Sequence, residues 1–211
     1  MHPRSATVSC MTTATLRAAQ PEDAAALAAI YRPYVTDTVI TFEVEPPGAS
    51  DFAERMAQIQ ELAPWLVCEV GGSVVGYAYA SKYHERAAYQ WALNAAVYLS
   101  PAHHRRGLGR ALYTSLFELL RLQGFCSVHG GITLPNAASV GLHESMGFRR
   151  VALYPGVGYK QRAWHDVGWW QLELRPRLGE PPPLMTPEAA HTAYPEAWKA
   201  GIAAGERLLQ S

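Results

Sequence analysis

The stretch His104-Arg105-Arg106-Gly107-Leu108-Gly109-Arg110 carries the strongest indication of the fold. It lies between a strand-like run at residues 94–99 and a helix-like run at residues 111–123. The first N–H groups of a helix have no partner within the helix, and the helix dipole favours negative charge there. Gly107 and Gly109 have no Cβ, so an anion can approach the backbone, while the arginines add donors. The stretch therefore predicts a site for a small diphosphate-bearing cofactor.

The composition is that of an ordinary globular protein. The chain has 211 residues, of which 49% are hydrophobic, and its 18 basic and 18 acidic residues give a formal net charge of zero. Proteins that bind nucleic acid usually carry a basic excess, and anionic membranes attract one. No apolar run is long enough to span a membrane, and nothing resembles a signal peptide. We therefore expect one domain with room for an extension, and neither nucleic acid nor a membrane as a partner.

The cysteines indicate a reducing environment. Cys10, Cys68 and Cys126 are odd in number and widely spaced, with neither a zinc-site spacing nor a disulfide framework. We expect Cys68 and Cys126 to be buried, reduced thiols, because both lie in apolar, strand-like segments. These features predict a cytoplasmic protein without a metal site.

Hydrophobic periodicity predicts strands mixed with four helices in a three-layer α/β or α+β domain, with a partly antiparallel sheet. The first helix is expected at about residues 21–31, the second is capped by Ser50 or Asp51, the third ends at Gly124, and the fourth begins at Asn136. The predicted strands are residues 15–18, 65–70, 73–80, 91–99, 125–134, 148–153 and 166–174.

Changes of composition divide the chain into three parts. Residues 1–11 lack periodicity and predict a flexible leader, within which Met11 is an alternative start. Residues 12–176 form the predicted domain. Residues 177–211 predict a proline-rich linker and a helical tail, which packs either on the domain or on a partner subunit.

Short motifs in residues 16–174 resemble a known family. They are Val97-Tyr98-Leu99, residues 104–109, Pro64-Trp65-Leu66-Val67, Tyr89-Gln90-Trp91, Thr133-Leu134-Pro135-Asn136, His143-Glu144-Ser145-Met146-Gly147-Phe148, and Trp164-His165-Asp166-Val167-Gly168-Trp169-Trp170-Gln171-Leu172. Together they resemble the GNAT superfamily and, within it, the phosphinothricin and methionine sulfoximine N-acetyltransferases. The glycine loop alone is weakly specific, whereas the closing block, in register with the others, is strongly specific.

The resemblance implies the fold, the reaction and the cofactor site. The implied fold is the GNAT acyl-CoA N-acyltransferase fold, an α/β (α+β) domain with a central mixed, mostly antiparallel sheet flanked by helices. The implied reaction is direct transfer of acetyl from acetyl-CoA to the α-amino group of a small amino acid or analogue, by a homodimer. The residues implied to hold acetyl-CoA are Val97, Tyr98, Leu99, Arg105, Arg106, Gly107, Leu108, Gly109, Arg110, Asn136 and Ser139.

The chain departs from the family at Asn94. In the family, a glutamate in the central strand, three residues before the Val-Tyr pair, is the favoured base. An amide cannot take a proton at neutral pH. Three alternatives remain open: His143 acts as the base because its ordinary pKa lies near neutrality, a water chain held by Asn94 carries the proton, or the chain binds acetyl-CoA with little or no turnover.

By resemblance, the amine substrate contacts Phe42, Arg86 and Tyr89. Arg86 either pairs with a substrate carboxylate or phosphinate, or is a solvated loop arginine. His84 and Thr133 stand where close relatives carry lysine and glycine, so both change the charge and width of the pocket.

Two other functions remain open. One is a protein N-terminal or lysine acetyltransferase, which an open groove around Arg86 and Tyr89 would favour over an enclosed pocket. The other is a non-catalytic acyl-CoA-binding module, for which Asn94 is the reason.

Overall fold

The computed structural model describes residues 14–177 and 179–210. The predicted leader at residues 1–11, including Met11 and Cys10, lies outside these ranges. Among the described residues, no helix combines the length and apolar character needed to cross a membrane.

A seven-stranded sheet forms the centre of the fold, in the spatial order β1-β2-β3-β4-β5-β7-β6. Every neighbouring pair is antiparallel except β4 and β5, which confirms the predicted mixed, mostly antiparallel sheet. The strands are β1 (Ala14–Ala18), β2 (Trp65–Val70), β3 (Ser73–Lys82), β4 (Ala92–Leu99), β5 (Ser127–Leu134), β6 (Arg149–Lys160) and β7 (Ala163–Glu173).

Helices cover both faces of the sheet. One face, here called the α1/α2 face, is covered by α1 and α2, whose Leu27 and Phe52 pack with Trp65 of β2. The opposite face, here called the α3 face, is covered by α3 and by the C-terminal helices. The helices in the described residues are α1 (Ala24–Thr36), α2 (Ala49–Leu62), α3 (Leu108–Gln123), α4 (Ala137–Ser145), α5 (Pro187–Ala193) and α6 (Pro195–Glu206).

The helix ends confirm two of the predicted signals and correct a third. Gly124 ends α3 with φ +99°, and the Asn136 side chain caps α4 by accepting a hydrogen bond from Ser139 N. Neither predicted residue is the N-cap of α2. That helix begins at Ala49 after Gly48, and the Asp51 carboxylate accepts a hydrogen bond from Gly48 N at 2.7 Å.

The parallel pair at the centre of the sheet is short. β4 and β5 pair only from Ala92 to Asn94 and from Ser127 to His129, whereas β4 stays paired with β3 as far as Leu99. The two strands therefore separate beyond Asn94 and His129. The β4 edge in this gap has no strand partner, which leaves main-chain groups available to a ligand.

The C-terminal tail packs on its own domain. Ser115 Oγ of α3 donates to Ile202 O at 2.6 Å and accepts from Gly205 N at 3.1 Å. Leu16 N of β1 donates to the Glu206 carboxylate at 3.0 Å. Helix α6 thus contacts both α3 and β1 of its own chain.

Candidate active site

The glycine turn leaves the start of α3 open to a ligand. Gly107 is the N-cap residue with φ +78°, no side chain caps the helix, and a Cβ on Gly107 would meet nothing within 4 Å. Arg105, Arg106 and Arg110 are exposed around this turn. Unpartnered N–H groups, the helix dipole and three guanidinium groups make the turn suitable for a diphosphate.

Gly109 has a different reason to be glycine from the one the sequence indicated. A Cβ at this position would lie 3.3 Å from Leu142 Cδ2 of α4 and 3.7 Å from Leu99 Cδ1 of β4. Both Gly109 and its neighbour Leu108 are buried. The missing side chain therefore allows α3 to pack closely against β4 and α4, and Gly107 is the position that opens onto the ligand side.

A polar cluster anchors the end of β4, which carries three of the residues implied to hold acetyl-CoA. Leu99 O accepts a hydrogen bond from Tyr34 OH at 2.6 Å and lies 3.2 Å from His104 Nε2. Val97 packs toward the α3 core, while the Tyr98 ring contacts Tyr34 on the α1/α2 face. The Leu99 carbonyl already has protein partners, and the main-chain groups of Tyr98 point towards β3. Those of Val97 and the Leu99 N–H face the gap and are better placed to serve a cofactor.

The two polar residues predicted at the start of α4 hold the helix itself. Asn136 Oδ1 caps α4, which leaves its amide NH₂ for a ligand, and Ser139 O receives a hydrogen bond from His143 Nδ1 at 2.8 Å. A carbonyl oxygen can only accept, so Nδ1 carries the proton and Nε2 carries the lone pair. Burial lowers the pKa of His143, which keeps the imidazole neutral.

His143 lies on the α3 face of the sheet. Its ring is 4% exposed and packs against Tyr113 and Phe148, with Nε2 3.5 Å from Tyr113 OH. Gly130 of β5 makes room for it, because a Cβ there would lie 2.6 Å from Nε2.

Asn94 faces the opposite side of the sheet. Its neighbours Leu93 and Ala95 belong to the α3 core, and successive side chains of a strand alternate between faces. Asn94 Nδ2 donates to Lys82 O at 3.2 Å, while Oδ1 is buried without a hydrogen-bond partner among the described residues. The two residues predicted to be catalytic, Asn94 and His143, therefore lie on different faces and can meet only through the gap between β4 and β5.

Three of the predicted substrate residues lie together on the loop between β3 and β4. His84 Nδ1 accepts a hydrogen bond from Arg86 N at 3.1 Å, and the His84 ring centroid lies 4.8 Å from that of Tyr89. The Arg86 side chain is exposed. Phe42 and Thr133 lie elsewhere: Phe42 contacts Gly158 of β6, and Thr133 is buried in β5.

A cavity of about 680 Å³ lies beside this loop, on the same face as Asn94. The proline-rich segment after β7 closes one side of it, and Trp91 Nε1 fastens that segment by donating to Pro182 O at 3.0 Å. The lining residues are Tyr83, Ala88, Tyr89, Trp91, Ala92, Cys126, Ser127, His129, Gln171, Arg175, Pro176, Arg177, Gly179, Pro181 and Pro182.

Of the predicted substrate residues only Tyr89 is among those that line the cavity, so sequence reasoning missed most of the lining, and it misjudged one cysteine. Cys68 is buried as predicted, and burial raises the pKa of its thiol to about 11. Cys126 is only half-buried and lines the cavity, so the prediction of a buried thiol is wrong there. Tyr83 and His129 were not singled out, because nothing local in the sequence shows that the β3–β4 loop and β5 share a cavity.

Comparison with known proteins identifies the family. The model of the acetyltransferase (GNAT) domain matches residues 16–169. The chain belongs to the GNAT acetyltransferase family. Acetyl-CoA is the co-substrate of GNAT acetyltransferases, and these findings confirm the family, the fold and the acetyltransferase activity that the motifs indicated.

Curated relatives and solved structures of GNAT proteins extend over most of the chain. The phosphinothricin N-acetyltransferase of Streptomyces viridochromogenes is 40% identical over 172 residues, which are 82% of this chain and 93% of the relative. The L-methionine sulfoximine/L-methionine sulfone acetyltransferase of Salmonella typhimurium is 35% identical over 164 residues, covering 76% of this chain and 94% of the relative. The phosphinothricin acetyltransferase of Sinorhizobium meliloti, solved with acetyl-CoA, superposes with a TM-score of 0.78 at 33% identity, covering 81% of this chain and 94% of that structure.

Proposed function

We propose that this GNAT acetyltransferase transfers the acetyl group of acetyl-CoA directly to the α-amino group of a small amino acid or analogue resembling phosphinothricin or methionine sulfoximine. The observation that carries the proposal is the cavity of about 680 Å³ on the Asn94 face, a size that suits a small molecule. The names of the relatives support the same substrate class.

Two buried polar atoms support a polar ligand on this face. Asn94 Oδ1 and Trp169 Nε1 are an acceptor and a donor without hydrogen-bond partners among the described residues. Trp169 pairs with Gly131 of β5, and its ring lies 3.3 Å from a Cβ built on that glycine, which places it on the Asn94 face. A buried polar group without a partner costs about 1–3 kcal/mol, so a ligand or water that reached either atom would be stabilised there, although neither Asn94 nor Trp169 is among the residues that line the cavity.

The proposed cofactor site runs along the other side of the gap. The diphosphate would lie at residues 105–110, against the open start of α3. The pantetheine would follow the unpaired edge of β4 at Val97 and Leu99, which brings the thioester towards the point where β4 and β5 separate. Asn136 would contribute its side-chain NH₂ from the start of α4.

Acetyl transfer requires a neutral amine and therefore a group that accepts a proton from the substrate ammonium. Asn94 Oδ1 can accept a hydrogen bond from the amine and orient it, but it cannot take the proton. His143, the candidate base in one of the three alternatives from the sequence, is neutral but packs against aromatic residues on the α3 face. Its role stays a prediction, tested by the loss of an imidazole-like inflection from the pH–rate profile of His143→Ala.

Release of CoA thiol tests the proposed function. The purified protein is mixed with acetyl-CoA and a panel of amino acids, phosphinothricin, methionine sulfoximine and lysine-containing peptides. We expect turnover with small amino acids or their analogues and none with the peptides. Turnover only with peptides would favour a protein acetyltransferase, and acetyl-CoA binding without any turnover would favour the binding module that Asn94 suggests.

We further propose that the protein is a homodimer. The outer strand β6 and the turn joining it to β7 expose several large apolar side chains, some of which a second copy would cover. They are Val151, Leu153, Tyr154, Val157, Tyr159 and Trp164.

We also propose the predicted division of the chain into a catalytic domain at residues 12–176 and an extension at residues 177–211, which here docks on α3. A cytoplasmic location is proposed from the free thiols of Cys68 and Cys126, because disulfides are rare there.

A further inference from the structure

β5 places a histidine directly beside Asn94. His129 is the register partner of Asn94 in the parallel pair of β4 and β5. Neighbouring strands lie about 4.8 Å apart, and register partners project to the same face. Val128 belongs to the α3 core, so His129 projects to the Asn94 face and lines the cavity proposed for the amine.

The hydrogen bonding of His129 leaves a basic nitrogen unused. Nδ1 lies 3.3 Å from Leu93 O, and because a carbonyl only accepts, Nδ1 carries the proton. Nε2 then carries the lone pair, and it has no hydrogen-bond partner among the described residues. Burial lowers the pKa of His129 by more than the hydrogen bond to Leu93 O raises it, and the charge of Arg177 lowers it further, so the ring is neutral at physiological pH.

The surroundings of His129 hold the ring in place, and the other titratable groups among the described lining residues are Tyr83, Tyr89, Cys126 and two arginines. The Tyr83 ring packs on the imidazole with a centroid distance of 4.5 Å, and Tyr89 packs on Tyr83 in turn. The charged groups that line the cavity are Arg175 and Arg177, and its lining contains neither aspartate nor glutamate. Among these lining residues, only His129 has an ordinary pKa near neutrality.

We propose that His129 is the general base of this enzyme and takes over the role of the carboxylate that the family carries at the position of Asn94. The inference rests on the proposed transfer of acetyl to a small amine. His129 Nε2 accepts a proton from the substrate ammonium, directly or through a water held by Asn94 Oδ1. The neutral amine then forms the N–C bond as the C–S bond of the thioester breaks. The second proton that the nitrogen loses is balanced by protonation of the CoA thiolate, and His129 returns the first proton to solvent through the cavity.

The test replaces the imidazole by a ring without a lone pair. His129→Phe preserves an aromatic ring for contact with Tyr83, and His191→Phe on the exposed side of α5 is the matched control. Thiol release is measured between pH 5.5 and 9 with the amine that the wild type turns over best, and acetyl-CoA binding by calorimetry confirms that each variant is folded.

We expect kcat/KM of His129→Phe at pH 7 to fall by about 10²–10⁴-fold, with unchanged affinity for acetyl-CoA. The wild-type profile should lose activity as the pH falls through a pKa below 6.5, because protonated His129 cannot act as a base. This inflection should be absent from His129→Phe and present in His191→Phe. Adding Asn94→Glu to His129→Phe should restore part of the rate, since it supplies a carboxylate at the neighbouring position.

Other outcomes separate the two proposals. A wild type that acetylates small amines, with His129→Phe matching His191→Phe in rate and pH profile, would overturn the role of His129 and leave the proposed function standing. If the inflection disappears from the pH–rate profile of His143→Phe and not from that of His129→Phe, the general base is His143 on the α3 face. A wild type without turnover on any small amine would overturn the proposed function. If His129→Phe does not fold, the pKa of His129 is measured in the wild type by NMR titration and compared with the pKa of the inflection in the pH–rate profile. Two different pKa values would contradict the inference.

Discussion

Replacing Gly205 by alanine tests whether the C-terminal tail is part of the folded domain. A Cβ on Gly205 would collide with the carbonyl oxygen of Ala111 and with Ser115 Oγ, where α6 crosses α3. The Ala111 carbonyl is backbone and cannot move aside, so α6 must shift away from α3. That shift weakens the hydrogen bonds of Ser115 with Ile202 and Gly205.

The magnitude follows from these contacts. Two hydrogen bonds contribute about 0.5–1.5 kcal/mol each, and overpacking costs typically 1–3 kcal/mol. The better helix propensity of alanine offsets about 1 kcal/mol. We therefore expect Gly205→Ala to lower the free energy of unfolding by roughly 1–5 kcal/mol, which corresponds to a fall in Tm of about 2–20 °C for a domain of this size.

The assay is urea and thermal unfolding, followed by circular dichroism and by tryptophan fluorescence. Gly141→Ala is the matched control, because Gly141 lies within α4 and a Cβ there would meet nothing within 4 Å. This control should stabilise the protein by about 0.5–1 kcal/mol. A Gly205→Ala protein as stable as Gly141→Ala would refute the close contact of α6 with α3.

Three further predictions concern the site and the assembly. In the presence of His129, Asn94→Glu should move the acidic limb of the pH–rate profile to higher pH, because a neighbouring carboxylate favours the imidazolium. The rate at neutral pH should change by less than about tenfold. A gain of about 10²–10⁴-fold would mean that the wild type lacks a working base. Gly107→Val should weaken acetyl-CoA binding in calorimetry by at least about tenfold, because a β-branched residue is strained at φ +78° and covers the start of α3. The control Gly72→Val, at φ +75° in a remote turn, should bind acetyl-CoA normally. Trp164→Glu should give the mass of one chain in light scattering if the exposed apolar side chains at the β6–β7 turn join two copies, and an unchanged dimer would place the interface elsewhere.

Local signals predicted many of the elements. The prediction for β2 agrees with the structure at both ends, and Gly124 and Asn136 mark the ends of helices as expected. The hairpin of β6 and β7 is longer than predicted, because cross-strand pairing carries it past Pro155 and the register shift between Tyr154 and Gly158. Composition cannot show that pairing, since it depends on the partner strand.

The features of the site also fall into those that the local sequence predicted and those that depend on contacts with distant segments. The glycine turn could be located from sequence, because its conformation and its helix start are properties of consecutive residues. The packing role of Gly109 could not, since Leu142 and Leu99 reach it from α4 and β4. The departure at Asn94 was visible in the sequence, but its consequence was not.

The sequence by itself determined the family, the order of strands and helices along the chain, and the open glycine turn that would receive a diphosphate. Only the tertiary structure placed His129 beside Asn94 and His143 on the opposite face. The physical reason is that strand order and register depend on hydrogen bonds and packing between distant segments. Asn94 and His129 meet because β5 pairs with β4 in parallel, and a register shifted by one residue would turn the histidine into the α3 core.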